Sequence, residues 1–248
     1  DVTHPDKKEL KKLREDMQII FQDPYSSLNP RLTIQDTIVE PLKLSGRFTP
    51  EQLPAEADRL MDLAGIEKRF RYSYPHELDG GRRQRVGIAR ALALMPKFIV
   101  CDEPVSALDV SIQAQILNLL MDLQDKYQLT YIFVTHDLSV VRHISTDICV
   151  MYLGQMVETG PTDEIFKHPY HPYTKALLSA ILSVNIHQKN QRIALKGEIT
   201  SPIDPKPGCR FMQRCPYATE ACKNPERLQE VSPGHFVSCC HVKEINNL

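Results

Sequence analysis

Two adjacent carboxylates, Asp102 and Glu103, close the apolar run Phe98-Ile99-Val100-Cys101. A short apolar run bounded by turn signals reads as a buried strand, and acids at its carboxyl end stand where α/β folds place phosphate ligands. There, one carboxylate can hold a divalent cation while the other orients or deprotonates an attacking water. The plain alternative is a pair of exposed loop acids. Gln22 and His136 each end a further predicted strand, Met17-Gln18-Ile19-Ile20-Phe21 and the run from Thr130 to Thr135. Upstream of the acids, Leu78-Asp79-Gly80-Gly81-Arg82-Arg83-Gln84-Arg85 is a glycine turn feeding a helix, whose N–H groups and dipole favour an anion. No G-x-x-x-x-G-K-[ST] loop occurs among the ten glycines.

A second group of candidate ligands crowds the last forty residues: Cys209, Cys215, Cys222, Cys239 and Cys240, with His235 and His241 nearby. The spacing Cys209-x5-Cys215-x6-Cys222-x17-Cys240 does not match the short C-x2-C pairs of common zinc modules. Four thiolates from irregular loops suit an iron–sulfur cluster; zinc, or free thiols, are the alternatives. Cys101 and Cys149 lie in apolar runs and are expected to be small buried side chains.

These residues need a scaffold. At 248 residues and 42% hydrophobic content the chain can build a packed core, and its net charge of -1 removes the simplest electrostatic case for nucleic acid. No apolar stretch approaches a membrane span and no signal peptide opens the chain, so a membrane role would be that of a peripheral partner. Asp1 in place of Met reads as a fragment or processed product.

Lys7 to Glu15 predicts a solvated helix. Ile34 to Leu44, Pro54 to Ala64 and Arg82 to Leu94 predict a helical block inserted between two strands. Val110 to Lys126 and Leu138 to Ile144 predict helices after the second and third strands, and Ile148 to Leu153 pairs with Gln155 to Glu158 across Gly154. The alternation argues for a mostly parallel sheet covered by helices. After Gly160-Pro161 the character changes, and His168-Pro169-Tyr170-His171-Pro172-Tyr173-Thr174 leads into a helix through Leu182. A boundary near residue 160 separates a first domain, with a helical part at about 24–96, from a second domain at 161–248.

In this order, the motifs resemble those of an ABC-type ATPase. Leu78 to Arg82 resembles the signature, with Asp79 for its serine and Arg82 for its glutamine; Asp102 and Glu103 resemble Walker B. Val105 to Asp109 resembles the D-loop, Gln22 the Q-loop and His136 the switch histidine. Phe21 to Asn29, Val105 to Leu117 and the His-Pro-Tyr segment Lys167 to Leu178 are similar to ATP-binding subunits of bacterial oligopeptide/dipeptide importers. The resemblance implies a P-loop NTPase-like α/β core lacking its first strands, an inserted helical subdomain and a small cysteine-rich C-terminal region.

It implies ATP and Mg²⁺ as cofactors, with Glu103, His136 and Gln22 catalytic and Asp102 on Mg²⁺. Asp79, Gly80, Gly81, Arg82 and Asp109 would face nucleotide across a dimer. It also carries an iron–sulfur cluster on Cys209, Cys215, Cys222 and Cys240. The implied partners are a second ATP-binding subunit, two membrane permease subunits and, indirectly, a peptide-binding protein, at the cytoplasmic face of the membrane and without nucleic acid. Because Walker A is absent, the chain alone is expected to bind ATP poorly and hydrolyse none, and the sheet edge beside the first strand to lie uncovered. Two other readings compete with it: an ABC-type ATPase acting on DNA or ribosomes, and a non-catalytic interaction or iron–sulfur protein. The first is disfavoured by the short stretch between Gln22 and Leu78 and the single signature.

Overall fold

The computed structural model describes residues 2–181, 192–195, 197–198, 201, 203–205, 207–224 and 227–247. They form two compact units, divided between His136 and Asp137. In the first, α1 (Lys7–Asp16) buries none of its residues, as its charged sequence predicts, and is closed by an Asp6/Glu9 capping box. Then follow β1 (Met17–Ile20), α2 (Pro24–Ser27), α3 (Ile34–Ser45), α4 (Leu53–Leu63), α5 (Gly80–Leu92), β2 (Phe98–Asp102), α6 (Val110–Tyr127) and β3 (Thr130–Val134).

The three strands form a parallel sheet in the order β1-β2-β3. Its register aligns Ile20, Cys101 and Phe133, and two rows away Gln18, Ile99 and Tyr131. Ile20, Ile99 and Cys101 are buried, and Tyr131 reaches α6 by donating its hydroxyl to the Leu120 carbonyl at 3.0 Å. The alternate rows carry Met17, Ile19, Ile132 and Val134, all exposed. β1 is an edge strand of this sheet among the described residues. The helical block packs through Ile34, Ile38, Leu42, Leu60, Met61, Ile88 and Leu92, at most 1% exposed each. Arg85 ties α5 to the end of α4 by donating to the Ala64 carbonyl at 2.9 Å.

The second unit contains α7 (Leu138–Ile144), β4 (Asp147–Tyr152), β5 (Gln155–Pro161), α8 (Thr162–Lys167), α9 (Pro172–Ser179), β6 (Gln229–Ser232), β7 (His235–Val237) and α10 (Val242–Asn246). Its sheet is antiparallel, in the order β4-β5-β7-β6. The predicted hairpin is present, but the cysteine-rich tail adds two strands to it that no alternating pattern announced. Gly160 therefore lies inside β5 rather than in a linker. A Cβ there would come within 3.1 Å of the His235 ring, so the glycine permits close approach of β5 and β7. The expectation for Cys149 also needs correction. β4 alternates exposed and buried residues, and Cys149 falls on the exposed face between buried Ile148 and Val150. α9 ends at Ser179, and Leu182 lies outside the described residues.

The core of this unit gathers Tyr152, Tyr173 and Phe211, whose rings meet at 4.7–5.4 Å between centroids. His171 caps α9, accepting from the Tyr173 N–H at Nδ1, while its own N–H donates to Glu158. Burial lowers its pKa from 6.5 to about 4, so it stays neutral and keeps that lone pair. A histidine whose folded pKa is depressed stabilises the fold above its unfolded pKa. That stability, about 3 kcal/mol, is lost as pH falls from 6.5 towards 4. Urea unfolding at stepped pH should show this loss, and His171→Asn, which keeps a cap but does not titrate, should flatten the profile over that window.

Candidate functional site

β1, β2 and β3 end side by side, which brings Gln22, Asp102, Glu103 and His136 to one rim of the parallel sheet. The Glu103 carboxylate is shared. Gln22 donates its Nε2 to Oε2 at 2.8 Å, and His136 Nδ1 lies 3.0 Å from Oε1. An ionised carboxylate only accepts, so the His136 proton sits on Nδ1 and Nε2 faces outward. The hydrogen bond from His136 is the main cause holding the Glu103 pKa below the usual carboxylate range. Glu103 therefore stays ionised at neutral pH, as a base or water-orienting group requires.

Glu103 has φ +43°, in the left-handed region. For a residue with a Cβ this costs on the order of 1–3 kcal/mol, sustained only where neighbours over-determine the backbone. They do here: its N–H donates to the Val134 carbonyl at 2.9 Å, and its carbonyl accepts from Ser106 N at 3.2 Å and Ser106 Oγ at 3.1 Å. Sequence reading missed this turn, since nothing in Asp-Glu-Pro announces a positive φ.

Gln22 is in turn anchored towards the helical block. Asp23 caps α2 by accepting from the Tyr25 N–H at 2.8 Å, the main cause of its lowered pKa. The Arg83 guanidinium lies over the Tyr25 ring at 5.2 Å, and Arg90 donates to the Ser27 carbonyl at 2.6 Å. A shift of α5 would thus be felt at the segment following Gln22. Arg83 and Arg90 were not singled out as candidates, because they look like ordinary charges on an amphipathic helix.

A second group forms at the start of α5. Asp79 is its N-cap, accepting from Arg82 N at 2.8 Å, and Asp109 caps α6 by accepting from Ile112 N at 3.1 Å. The two starts touch. A Cβ on Gly81 would lie 2.7 Å from Ile112 Cγ2, and one on Gly80 3.3 Å from Leu108 Cδ2. Gly81 in particular admits this close approach, since a side chain there would force Ile112 to move. Hydrogen bonds thus bring Gln22, Glu103 and His136 together as one group, while Gly80 and Gly81 lie against Leu108 and Ile112, on either side of Asp109 in the chain.

In the second unit, Cys209, Cys215, Cys222, Cys239 and Cys240 line one cavity of about 40 Å³, with Phe211 and His241. Cys222 and Cys240 sulfurs are 3.6 Å apart, and with a ring nitrogen of His241 they offer three donors within 4.8 Å of one another. The compact set is thus Cys222, Cys240 and His241, with Cys209 and Cys215 lining the same cavity. Burial raises the thiol pKa values of four of them, Cys209, Cys215, Cys239 (to about 11) and Cys240 (to about 12). Without a bound metal these thiols keep their protons.

Residues 1–106 match the family model described as ABC transporter, and residues 157–222 that described as oligopeptide/dipeptide transporter, C-terminal region. The putative oligopeptide transport ATP-binding protein YkfD of Bacillus subtilis is 50% identical over 227 residues, covering 90% of this chain and 69% of that protein. The chain belongs to the ATP-binding subunits of ABC transporters.

Two further members of the family are the oligopeptide transport ATP-binding protein AppF of Bacillus subtilis, 48% identical over 96% of this chain and 74% of its own length, and the di/tripeptide transport ATP-binding protein DppF of Pseudomonas aeruginosa, 43% identical over 98% and 76%. An ABC-type ATPase is accordingly the enzyme class of the full-length protein. Solved ABC structures share the fold. CbiO1 of Clostridium perfringens, part of the ABC transporter complex CbiONQ, superposes with a TM-score of 0.58 at 29% identity, over 66% of this chain and 64% of that one. The ATP-binding cassette MJ0796, in a dimeric post-hydrolysis state with ADP and Pi, gives 0.56 at 34%, over 64% and 68%. Among the described residues no helix is long and apolar enough to cross a membrane.

Proposed function

We propose that the full-length protein is the ATP-hydrolysing subunit that energises import of oligopeptides or dipeptides. It pairs with a second, related ATP-binding subunit on the cytoplasmic face of the membrane. There it drives two permease subunits fed by a peptide-binding protein. The observation that carries the catalytic part is the Glu103 carboxylate held between Gln22 and His136. The peptide part is supported by the C-terminal region match at residues 157–222 and by the names of the relatives.

Glu103 orients and deprotonates the attacking water, Gln22 reports the state of the site to the helical block, and His136 offers its outer ring edge to the terminal phosphate. Asp102 is the residue at this rim that would hold Mg²⁺, whose chemistry is to neutralise charge on the phosphate oxygens. The turn at Asp79 to Arg82, with Asp109, faces the nucleotide of the paired subunit.

Uptake of labelled di- and oligopeptides by cells lacking the gene tests the proposal. Complementation by the wild type should restore uptake and complementation by Glu103→Gln should not; uptake independent of the gene, or supported by the variant, would overturn it. The 1–248 polypeptide by itself is expected to turn over no ATP, because it contains no loop to grip the β- and γ-phosphates. Phosphate release above a protein-free blank would contradict that.

The cysteine cavity is read as the seat of an iron–sulfur cluster on Cys209, Cys215, Cys222 and Cys240. Soft sulfur donors lining one cavity, two of them 3.6 Å apart, suit such a group. A bound cluster would tie the loops that carry Cys209, Cys215 and Cys222 to the segment after β7 that carries Cys240. Anaerobically purified protein should contain iron and acid-labile sulfide; colourless protein free of both would end this reading.

A further inference from the structure

Asp79 uses both carboxylate oxygens inside its own turn. Oδ1 accepts from the Arg82 N–H at 2.8 Å, and Oδ2 pairs with the Arg82 guanidinium. That guanidinium is held from two other sides, by Glu67 at 3.8 Å and by the Phe70 ring at 4.9 Å. Glu67 also pairs with Arg69, which lies over the same ring at 4.8 Å. The first-turn N–H groups of Gly80 and Gly81, which no intrahelical carbonyl can satisfy, thus stand beside a carboxylate and not a hydroxyl. A carboxylate cannot donate to a phosphate oxygen and repels it.

We infer that Arg82 serves as a built-in counter-ion to Asp79, so that this turn meets a phosphate as a neutral, self-capped surface and not as an anion trap. The inference deepens the proposed function and rests on its reading of the turn as half of a nucleotide site. The residues fit helix capping well and phosphate poorly, and Arg82 is the positioning residue that keeps the misfit tolerable. Removing the Arg82 side chain alone leaves the Asp79 carboxylate capping the helix but without its paired cation, with Arg83 held on the Asp79 carbonyl at 3.3 Å. Removing the carboxylate's charge alone leaves a capped, uncharged helix start flanked by a cation. In the assembled transporter the nucleotide on the paired subunit would then be engaged weakly at this end, making the two sites of the pair unequal.

Asp79→Asn separates charge from structure, since asparagine caps a helix as well as aspartate. The test titrates inorganic triphosphate into the full chain while following the Gly80 and Gly81 amide resonances, with thermal melting as a control on folding. Relative to wild type, Asp79→Asn should bind triphosphate more tightly by roughly tenfold or more with an unchanged melting point. Arg82→Gln should weaken binding, and Arg82→Lys should restore the wild-type value by keeping the charge. Equal affinity in wild type and Asp79→Asn, or an Arg82→Gln variant that binds like wild type, would overturn the inference. If neither Asp79→Asn nor the double variant Asp79→Ser with Arg82→Gln shows any response, the turn is no phosphate half-site and the underlying reading fails instead.

Discussion

Replacing Glu103 by glutamine in the full-length subunit, assembled with its partners, is expected to lower ATP turnover by about 10²–10⁴-fold while leaving nucleotide binding intact. Glutamine is nearly isosteric and can still accept from Gln22. It cannot take a proton from water, and its amide nitrogen turns a donor towards His136 where the carboxylate accepted. Loss should therefore appear in kcat and not in KM, and steady-state ATPase assays separate the two. A variant that keeps wild-type kcat would mean that the carboxylate only organises the rim. Truncating Gln22 or His136 should cost less, because each removes one hydrogen bond from Glu103 and leaves the base in place.

The second large effect belongs to stability. Glu158 and His235 are both fully buried, and the Glu158 carboxylate accepts from Tyr170 N at 2.7 Å, His171 N at 3.0 Å and His235 Nε2 at 2.8 Å. His235 Nδ1 finds no hydrogen-bond partner among the described residues. Nε2 is the ring atom that faces the Glu158 carboxylate, which only accepts, so the proton of this hydrogen bond sits on Nε2. Glu158→Ala would strand two backbone N–H groups and the imidazole at once. The expected loss is about 3–5 kcal/mol in urea unfolding of the second unit. Glu158→Gln keeps an acceptor for one of those groups and should cost less. Equal stability of wild type and Glu158→Ala would show that the His-Pro-Tyr segment is held by packing alone.

The parallel sheet and its helices were legible because their signals are local. Apolar runs of four or five residues and the helical spacing between them outline β1 to β3 and α5 to α7 closely. The rim of Gln22, Glu103 and His136 followed from strand ends, since parallel strands place their carboxyl ends together. What stayed hidden depends on tertiary contact. β6 and β7 are short and polar, and become strands only by adding to β5, so the tail read as loop. Cys149 was misjudged because its apolar neighbours belong to a strand with one exposed face. Gly160 looked like punctuation, yet its role is to admit His235. Glu158 carried no sequence signal at all: one acid in Val-Glu-Thr becomes a buried clamp only when two distant segments fold onto it. The cysteines announced a metal-ligand composition, but that His241 joins Cys222 and Cys240 is a matter of three-dimensional arrangement.

The most direct test of the shared Glu103 carboxylate as the hydrolytic centre is a cryo-EM map of the assembled, full-length transporter carrying Glu103→Gln in MgATP. The account predicts intact ATP whose terminal phosphate lies against residue 103, with Gln22, Asp102 and His136 around the metal and that phosphate. Nucleotide seated away from this rim, with those four side chains in contact with neither phosphate nor metal, would contradict it.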